Sequence, residues 1–207
     1  TFRNDIYPEY KANRSSPPED LIPQFPLIRK ATDAFNVNHV EMLGYEADDL
    51  IASYAKAAIN EKMKVTIVSS DKDLMQLVKE DVSMLDTMKN RLIQKNEVIE
   101  KFGVEPKKVI DVQSLAGDSI DNIPGVPGIG IKTAALLINE YDNLDNLLEK
   151  ASNIKQNKRR ESLIEFADQA RLSRELVTLK EDVKLPIPIK DIEIQSFDPK
   201  KLISFLK

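Results

Sequence analysis

The sequence predicts an α/β protein with a parallel sheet in its first half and a mostly helical second half. Three observations carry this. Lys64–Ser69 (KVTIVS) is a β-branched run of strand length. Shorter strand-like segments at His39–Leu43, Val82–Leu85 and Arg91–Ile93 alternate with helical patterns over Glu46–Lys62 and Leu74–Val78, the order of a parallel α/β sheet. From about Asn96 onward helical spacing takes over, so two parts are expected, residues 1–110 and 111–207.

The elements follow in chain order. Residues 1–21 (TFRNDIYPEYKANRSSPPEDL) mix basic and aromatic side chains and read as loop. A helix is predicted after Ser16, with Pro17 and Pro18 at its entrance and Glu19 and Asp20 in its first turn. Leu21, Phe25, Ile28, Thr32 and Phe35 keep helical spacing, but Pro23 and Pro26 demand a kink or a late start. Leu50, Ile51, Tyr54, Ala55 and Ala58 form one face of the 46–62 helix. Asn96 can cap a helix ending near Gly103, and another runs over Pro106–Ala116. Helices are then predicted at 132–140, 143–150 and 157–172. LPIPIKDIEI reads as an extended linker, and Asp198-Pro199 opens a final short helix.

Composition narrows the chemistry. The chain has no cysteine, which excludes thiol nucleophiles, disulfides and thiolate zinc sites. His39 is its one histidine and reads as a surface or packed residue, leaving little for a His-based triad or a multi-His metal site. Carboxylates are plentiful, 34 of them, and hard oxygen donors favour Mg²⁺ or Mn²⁺. No apolar run is long enough to span a bilayer, so a soluble intracellular protein is expected. The net charge of −4 counts against nucleic-acid binding, yet residues 150–171 hold six basic side chains against three acidic, enough for a local patch.

Three acidic clusters stand out. Glu46, Asp48 and Asp49 in GYEADDL crowd a helix start, where acids also serve as caps and dipole partners. Asp71 and Asp73 in SSDKDL follow a buried strand, a common position for metal ligands, although Asp-x-Asp also occurs in plain turns. Asp118 and Asp121 lie three apart, and one helical turn would set them on one face. They open GDSIDNIPGVPGIGIKTAALLI, residues 117–138, which has the form of a helix–hairpin–helix. Gly125, Gly128 and Gly130 would let backbone N–H groups meet a phosphate, with Lys132 and Thr133 adding charge and a hydroxyl. The segment is not a Walker A loop, since Ile131 stands where that loop needs Lys, and it lacks the third glycine of a dinucleotide fingerprint. Seven carboxylates together repel one another without cations. With two divalent ions they would suit phosphodiester hydrolysis, which requires neither His nor Cys.

On TFR…YPEYKANR…PEDL at 1–21, GYEADD at 44–49, DKDLMQLV at 71–78 and GDSIDNIPGVPGIGIKTA at 117–134, the chain resembles the 5′→3′ exonuclease domain of bacterial DNA polymerase I, in the flap-endonuclease superfamily. The resemblance implies a PIN-like parallel sheet flanked by helices, followed by a helical region with a helix-two-turn-helix motif. It implies a first metal, Mg²⁺ or Mn²⁺, on Glu46, Asp48, Asp49 and Asp71, and a second on Asp71, Asp73, Asp118 and Asp121. Tyr10, Lys11 and Arg14 match the basic segment at the base of a helical arch (residues 1–30) that contacts the scissile phosphate, with Lys11 and Arg14 catalytic and Arg3 joining them on DNA. The hairpin would grip duplex DNA and hold K⁺ through backbone carbonyls. A monomer in the bacterial cytoplasm at the nucleoid, acting on flaps, nicks or 5′ ends and fused to a polymerase region, completes the expectation. Such domains begin with an Asp-bearing strand and carry another Asp just before the TFR-like motif. Starting at Thr1, the sequence has neither, so the core is expected to lack its first strand. Two other readings compete: a non-catalytic helix–hairpin–helix module, which leaves the upstream acids unexplained, and a PIN-type ribonuclease, which does not require the hairpin.

Overall fold

The computed structural model describes residues 1–207. After a short helix α1 (Phe2–Ile6), turns and extended chain lead to α2 (Gln24–Ala34). The late start of α2 reconciles the prolines: Pro26 falls in the first turn, where its missing N–H removes no intrahelical bond. Helix α3 (Ala47–Asn60) then packs onto strand β1 (Val65–Val68), burying Asp49, Leu50, Ala52, Ser53, Ala55 and Ala58 on one face.

The sheet is small and mixed. Strand β2 (Val82–Asp86) pairs parallel with β1, and β3 (Arg91–Ile93) pairs antiparallel with β2. The expected parallel pairing is present in β1 and β2, and β3 adds an antiparallel edge, because β2 and β3 are joined directly by the 87–90 turn with Asn90 at φ 47°, and a tight turn reverses the chain. His39–Leu43, expected as a strand, forms none and ends in a turn at Leu43, since no strand lies beside it to supply ladder hydrogen bonds. The free edge of β1 and the face of α3 instead border an open apolar groove of about 840 Å³, closed on its far side by Ile189, Ile192 and Ile194.

Between β1 and β2 the chain makes a 3₁₀ turn, Lys72–Leu77, in place of the expected short α-helix. Helix α4 (Lys95–Phe102) is capped by Gln94 and Glu97 and ends at Gly103, whose left-handed φ of 74° closes it. Helix α5 (Val109–Ala116) lies between α6 (Ile131–Tyr141) and α9 (Ala167–Val177) and is buried on most of its surface. Helix α7 (Leu144–Glu149) follows α6. The helix expected over 157–172 divides at Phe166 into α8 (Asn157–Glu165) and α9. The terminal α10 (Pro199–Leu206), capped by Asp198, returns to pack on α2. A single apolar cluster runs from Ile67 and Met84 in the sheet through Phe102, Leu115 and Ile138 to Leu163, so the sheet and the helical region share one core across residue 110. None of the helices is long and apolar enough to cross a membrane.

Candidate active site

Three separated segments deliver carboxylates to one place. Glu46 caps the N-terminus of α3, with Asp48 in its first turn. Asp71 leaves the end of β1 and caps the 3₁₀ turn, accepting from the Asp73 amide at 3.0 Å, which sets Asp73 facing α5. Asp118 and Asp121 lie in a tight turn after α5, closed by the paired bonds of Asp118 and Ile123. This turn replaces the expected helical face. Its positive-φ residue Asn122 (55°) breaks any helix, and the Asp118 carboxylate accepts from the amides of Ile120 and Asp121. Glu46, Asp48, Asp73, Asp118 and Asp121 line one narrow cleft of about 20 Å³. That is room for roughly one water or a small ion, not for an organic ligand. The much larger apolar groove beside β1 carries no carboxylate.

Cations are threaded among these acids. Lys11 Nζ lies 2.6 Å from Glu46 Oε1 and 3.6 Å from Asp121 Oδ2. Arg14 donates to Asp121 Oδ1 at 2.5 Å, and Lys72 to Asp118 Oδ2 at 2.5 Å. Lys11 has φ 59°, a backbone state rare for a side-chain-bearing residue, and its amide bonds the Asp121 carbonyl, so the strain is held at the site. The remaining imbalance shifts the carboxyl groups. Burial, with repulsion from Asp71 and Glu46, raises Asp48. Burial and the charge of Asp71 push Asp73 up to about 6. For Asp118 the burial is outweighed by Lys72 and two backbone amides, and its carboxyl is held below the usual range.

Several expected site residues turn inward instead. Arg3 is 1% exposed and Asp49 0%. Their side chains form a bidentate pair at 2.7 and 2.8 Å, Arg3 also donates to the carbonyls of Leu176 and Thr178, and Asp49 accepts from the amides of Lys180 and Glu46. With its oxygens so occupied Asp49 has no free face for a cation, and Arg3 has no path to a phosphate. Tyr10, also expected on DNA, is 5% exposed and donates its hydroxyl to Glu46 Oε2. Burial and the Glu46 charge raise this phenol, keeping it a donor. Asp71 is exposed at the rim. Lys72 and Gln113 were not singled out from sequence. Lys72 sits inside Asp71-Lys72-Asp73, a visible signal, whereas Gln113 lies unmarked in a buried helix.

The hairpin resolves into two kinds of glycine. Gly125 is packed against Gly117, where a Cβ would meet the Gly117 nitrogen at 2.4 Å; its amide donates to Ser173 and its carbonyl accepts from Gln169. Its N–H is therefore spent inside the fold, against the expectation that it meets a phosphate. Gly128 (φ 80°) and Gly130 stand at the surface, where a Cβ would meet nothing within 4 Å, on either side of the buried Ile129. Gly130 caps α6, and Lys132 and Thr133 follow in the first turn, where the amides lack intrahelical acceptors.

Comparison with known proteins agrees with this layout. Residues 1–103 match the family of the 5′-3′ exonuclease N-terminal resolvase-like domain, and residues 104–200 that of the 5′-3′ exonuclease C-terminal SAM fold. All 207 residues align at 57% identity with a DNA polymerase I of Rhizobium leguminosarum, of which the chain spans 20%. They align at 36% with a 5′-3′ exonuclease of Buchnera aphidicola, of which it spans 74%. A structure described as divalent metal ions (zinc) bound to T5 5′-exonuclease superposes with a TM-score of 0.76 at 27% identity, covering 86% of this chain and 70% of that one. A bacteriophage T5 flap endonuclease pseudo-enzyme-product complex with DNA and metal ions gives 0.75 at 25%, covering 87% and 70%. The chain thus spans about a fifth to a quarter of its DNA polymerase I relatives. With both halves of the chain matched in order and the three acid-bearing segments gathered at one cleft, this protein belongs to the 5′-3′ exonuclease family.

Proposed function

We propose that this chain is the nuclease part of a DNA polymerase I and hydrolyses DNA phosphodiesters at 5′ ends, nicks or flaps with two divalent cations, Mg²⁺ or Mn²⁺. The observation that carries the reading is the convergence of Glu46, Asp48, Asp73, Asp118 and Asp121 on one ion-sized cleft, with Lys11 and Arg14 beside it. The donor set fits: all oxygen, and partly buried, with Asp48 and Asp73 raised first by that burial and then by repulsion from Asp71. In the present structure Lys11, Arg14 and Lys72 stand among these acids as their counter-ions. Bound divalent ions would supply a deprotonated water and neutralise charge on the phosphate.

The residues divide into roles accordingly. Glu46, Asp48, Asp73, Asp118 and Asp121 hold cations, and rim-exposed Asp71 joins them. With divalent ions on those acids, Lys11 and Arg14 would be available to the scissile phosphate, where positive charge would stabilise the developing negative charge. Arg3 and Asp49 lock the α3 N-terminus, and Tyr10 orients Glu46. The surface turn at Gly128 and Gly130, with Lys132 and Thr133, docks a duplex phosphate, and its backbone carbonyls are the place for K⁺.

The test is calorimetric titration with Mn²⁺ alongside cleavage of a 5′-flapped duplex. Carboxylate-dependent Mn²⁺ binding, lost in Asp118→Asn, is the expected result. An absence of Mn²⁺ binding in the wild-type chain would reduce it to a DNA-binding module.

A further inference from the structure

Gln113 lies in the middle of α5, the helix enclosed by α6 and α9, and is 4% exposed between neighbours Val112 and Ser114 that are wholly buried. A buried amide is expected to have both ends bonded. One end is: Nε2 donates to Asp73 Oδ1 at 2.5 Å. The other is not: Oε1 is the only buried side-chain polar atom in the protein with no hydrogen-bond partner. The orientation follows from chemistry: at neutral pH, above its raised pKa, the Asp73 carboxylate only accepts, so the NH₂ faces Asp73 and the oxygen is turned from it. Gln113 itself forms part of the wall of the carboxylate cleft, whose volume of about 20 Å³ is that of one water.

We propose that Gln113 is a positioning residue of the cation site: its N–H holds the Asp73 carboxylate in place, and its free Oε1 is the acceptor left over for a water in the cleft. The inference rests on the metal reading above but adds a residue outside every acidic cluster. Asp73 has no other side-chain donor. Its bonds to the Asp71 carboxylate, through its amide, and to Gln76 Nε2, through its carbonyl, orient the backbone and do not hold the carboxylate. Outer partners of metal ligands act in this way, and their loss weakens metal binding by about 10- to 100-fold.

The experiment uses the 207-residue chain with Mn²⁺ as the probe. Gln113→Met keeps the volume and removes both polar ends. Mn²⁺ affinity should fall about tenfold or more, while the melting temperature of the metal-free protein does not fall, because an unpaired buried oxygen has been removed. In an Asp73→Asn background the same substitution should add less than twofold. An unchanged Mn²⁺ affinity in Gln113→Met overturns the proposal, as does a tenfold loss that persists in Asp73→Asn, or a loss that tracks a lowered melting temperature. Should Gln113→Met fail to fold, Gln113→Asn, which withdraws the amide by one methylene, carries the same expectations. No Mn²⁺ binding by the wild-type chain defeats the metal reading, and this proposal with it. Binding by the wild type with none of these differences defeats this proposal alone.

Discussion

Arg3 and Asp49 form a buried bidentate ion pair at 2.7 and 2.8 Å that fastens the N-terminal helix to the start of α3. Because the guanidinium also serves the carbonyls of Leu176 and Thr178, one side chain joins α1, α3 and the end of α9. Removing one partner leaves the other charge buried and unpaired. Arg3→Ala should therefore lower stability by about 3–5 kcal/mol, and Arg3→Lys should recover only part of it, lacking the planar fork. Urea unfolding of the metal-free protein reads this directly. Unaltered stability together with weakened DNA binding would return Arg3 to the DNA interface.

Asp73 makes stability depend on pH and cation. Its folded pKa of about 6 stands above the ordinary 3.8, so folding favours the protonated form. The associated stability is fully present below about pH 4 and lost as pH rises through 6. On the order of 3 kcal/mol is at stake for a shift of this size. Asp49 and Asp118 are shifted down, so their contributions disappear only at still lower pH, outside this window. Unfolding measured from pH 4 to 7 without metal should show the decline, Asp73→Asn should make it shallower while the raised Asp48 and Asp111 keep part of it, and Mn²⁺ should restore stability at pH 7. A flat wild-type profile would show that Asp73 is not destabilised by its surroundings.

Lys11 holds Glu46 and Asp121 in the metal-free site and, in the proposed reaction, the scissile phosphate. In a chain that cleaves, Lys11→Ala should slow single-turnover hydrolysis by about two orders of magnitude, as for loss of one preorganised donor. Affinity for the same DNA in Ca²⁺ should change only modestly, and Mn²⁺ binding should tighten, since a competing ammonium is gone. A fall in DNA affinity with an unchanged rate at saturation would make Lys11 a docking residue.

The hairpin glycines separate folding from binding. Gly130 has φ −92° and open space around a Cβ, so Gly130→Val should fold normally and weaken duplex binding about tenfold, the equivalent of one or two lost phosphate contacts. Gly125→Ala should compromise the fold itself, because its Cβ would strike Gly117 backbone. Fluorescence anisotropy on duplex and single-stranded DNA, with melting curves beside it, distinguishes the two. Equal loss on both DNAs for Gly130→Val would argue against duplex recognition by the hairpin.

Local chemistry settled much of this protein in advance. The β-branched run at 65–68, the left-handed Gly103 that ends α4, and Asp198-Pro199 at the head of α10 are decided by propensity and capping among near neighbours, and all were legible. The acidic clusters were legible as chemistry, because carboxylates without His or Cys leave few alternatives. What the local pattern could not decide was direction. Asp48 and Asp49 are adjacent and alike, yet one lines the cleft while the other is sealed against an arginine 46 residues earlier. Gly125 and Gly130 are likewise equivalent as residues, but Ser173 and Gln169, brought in by α9, claim the first and leave the second exposed. Gln113 had no signal at all, since its role exists only where α5 meets the 3₁₀ turn after β1. Propensities act over a few residues, whereas desolvation and pairing depend on whatever the folded chain places alongside. The sequence alone therefore determined which functional groups this protein has, and only the tertiary structure decided which of them face the cleft and which hold the fold together.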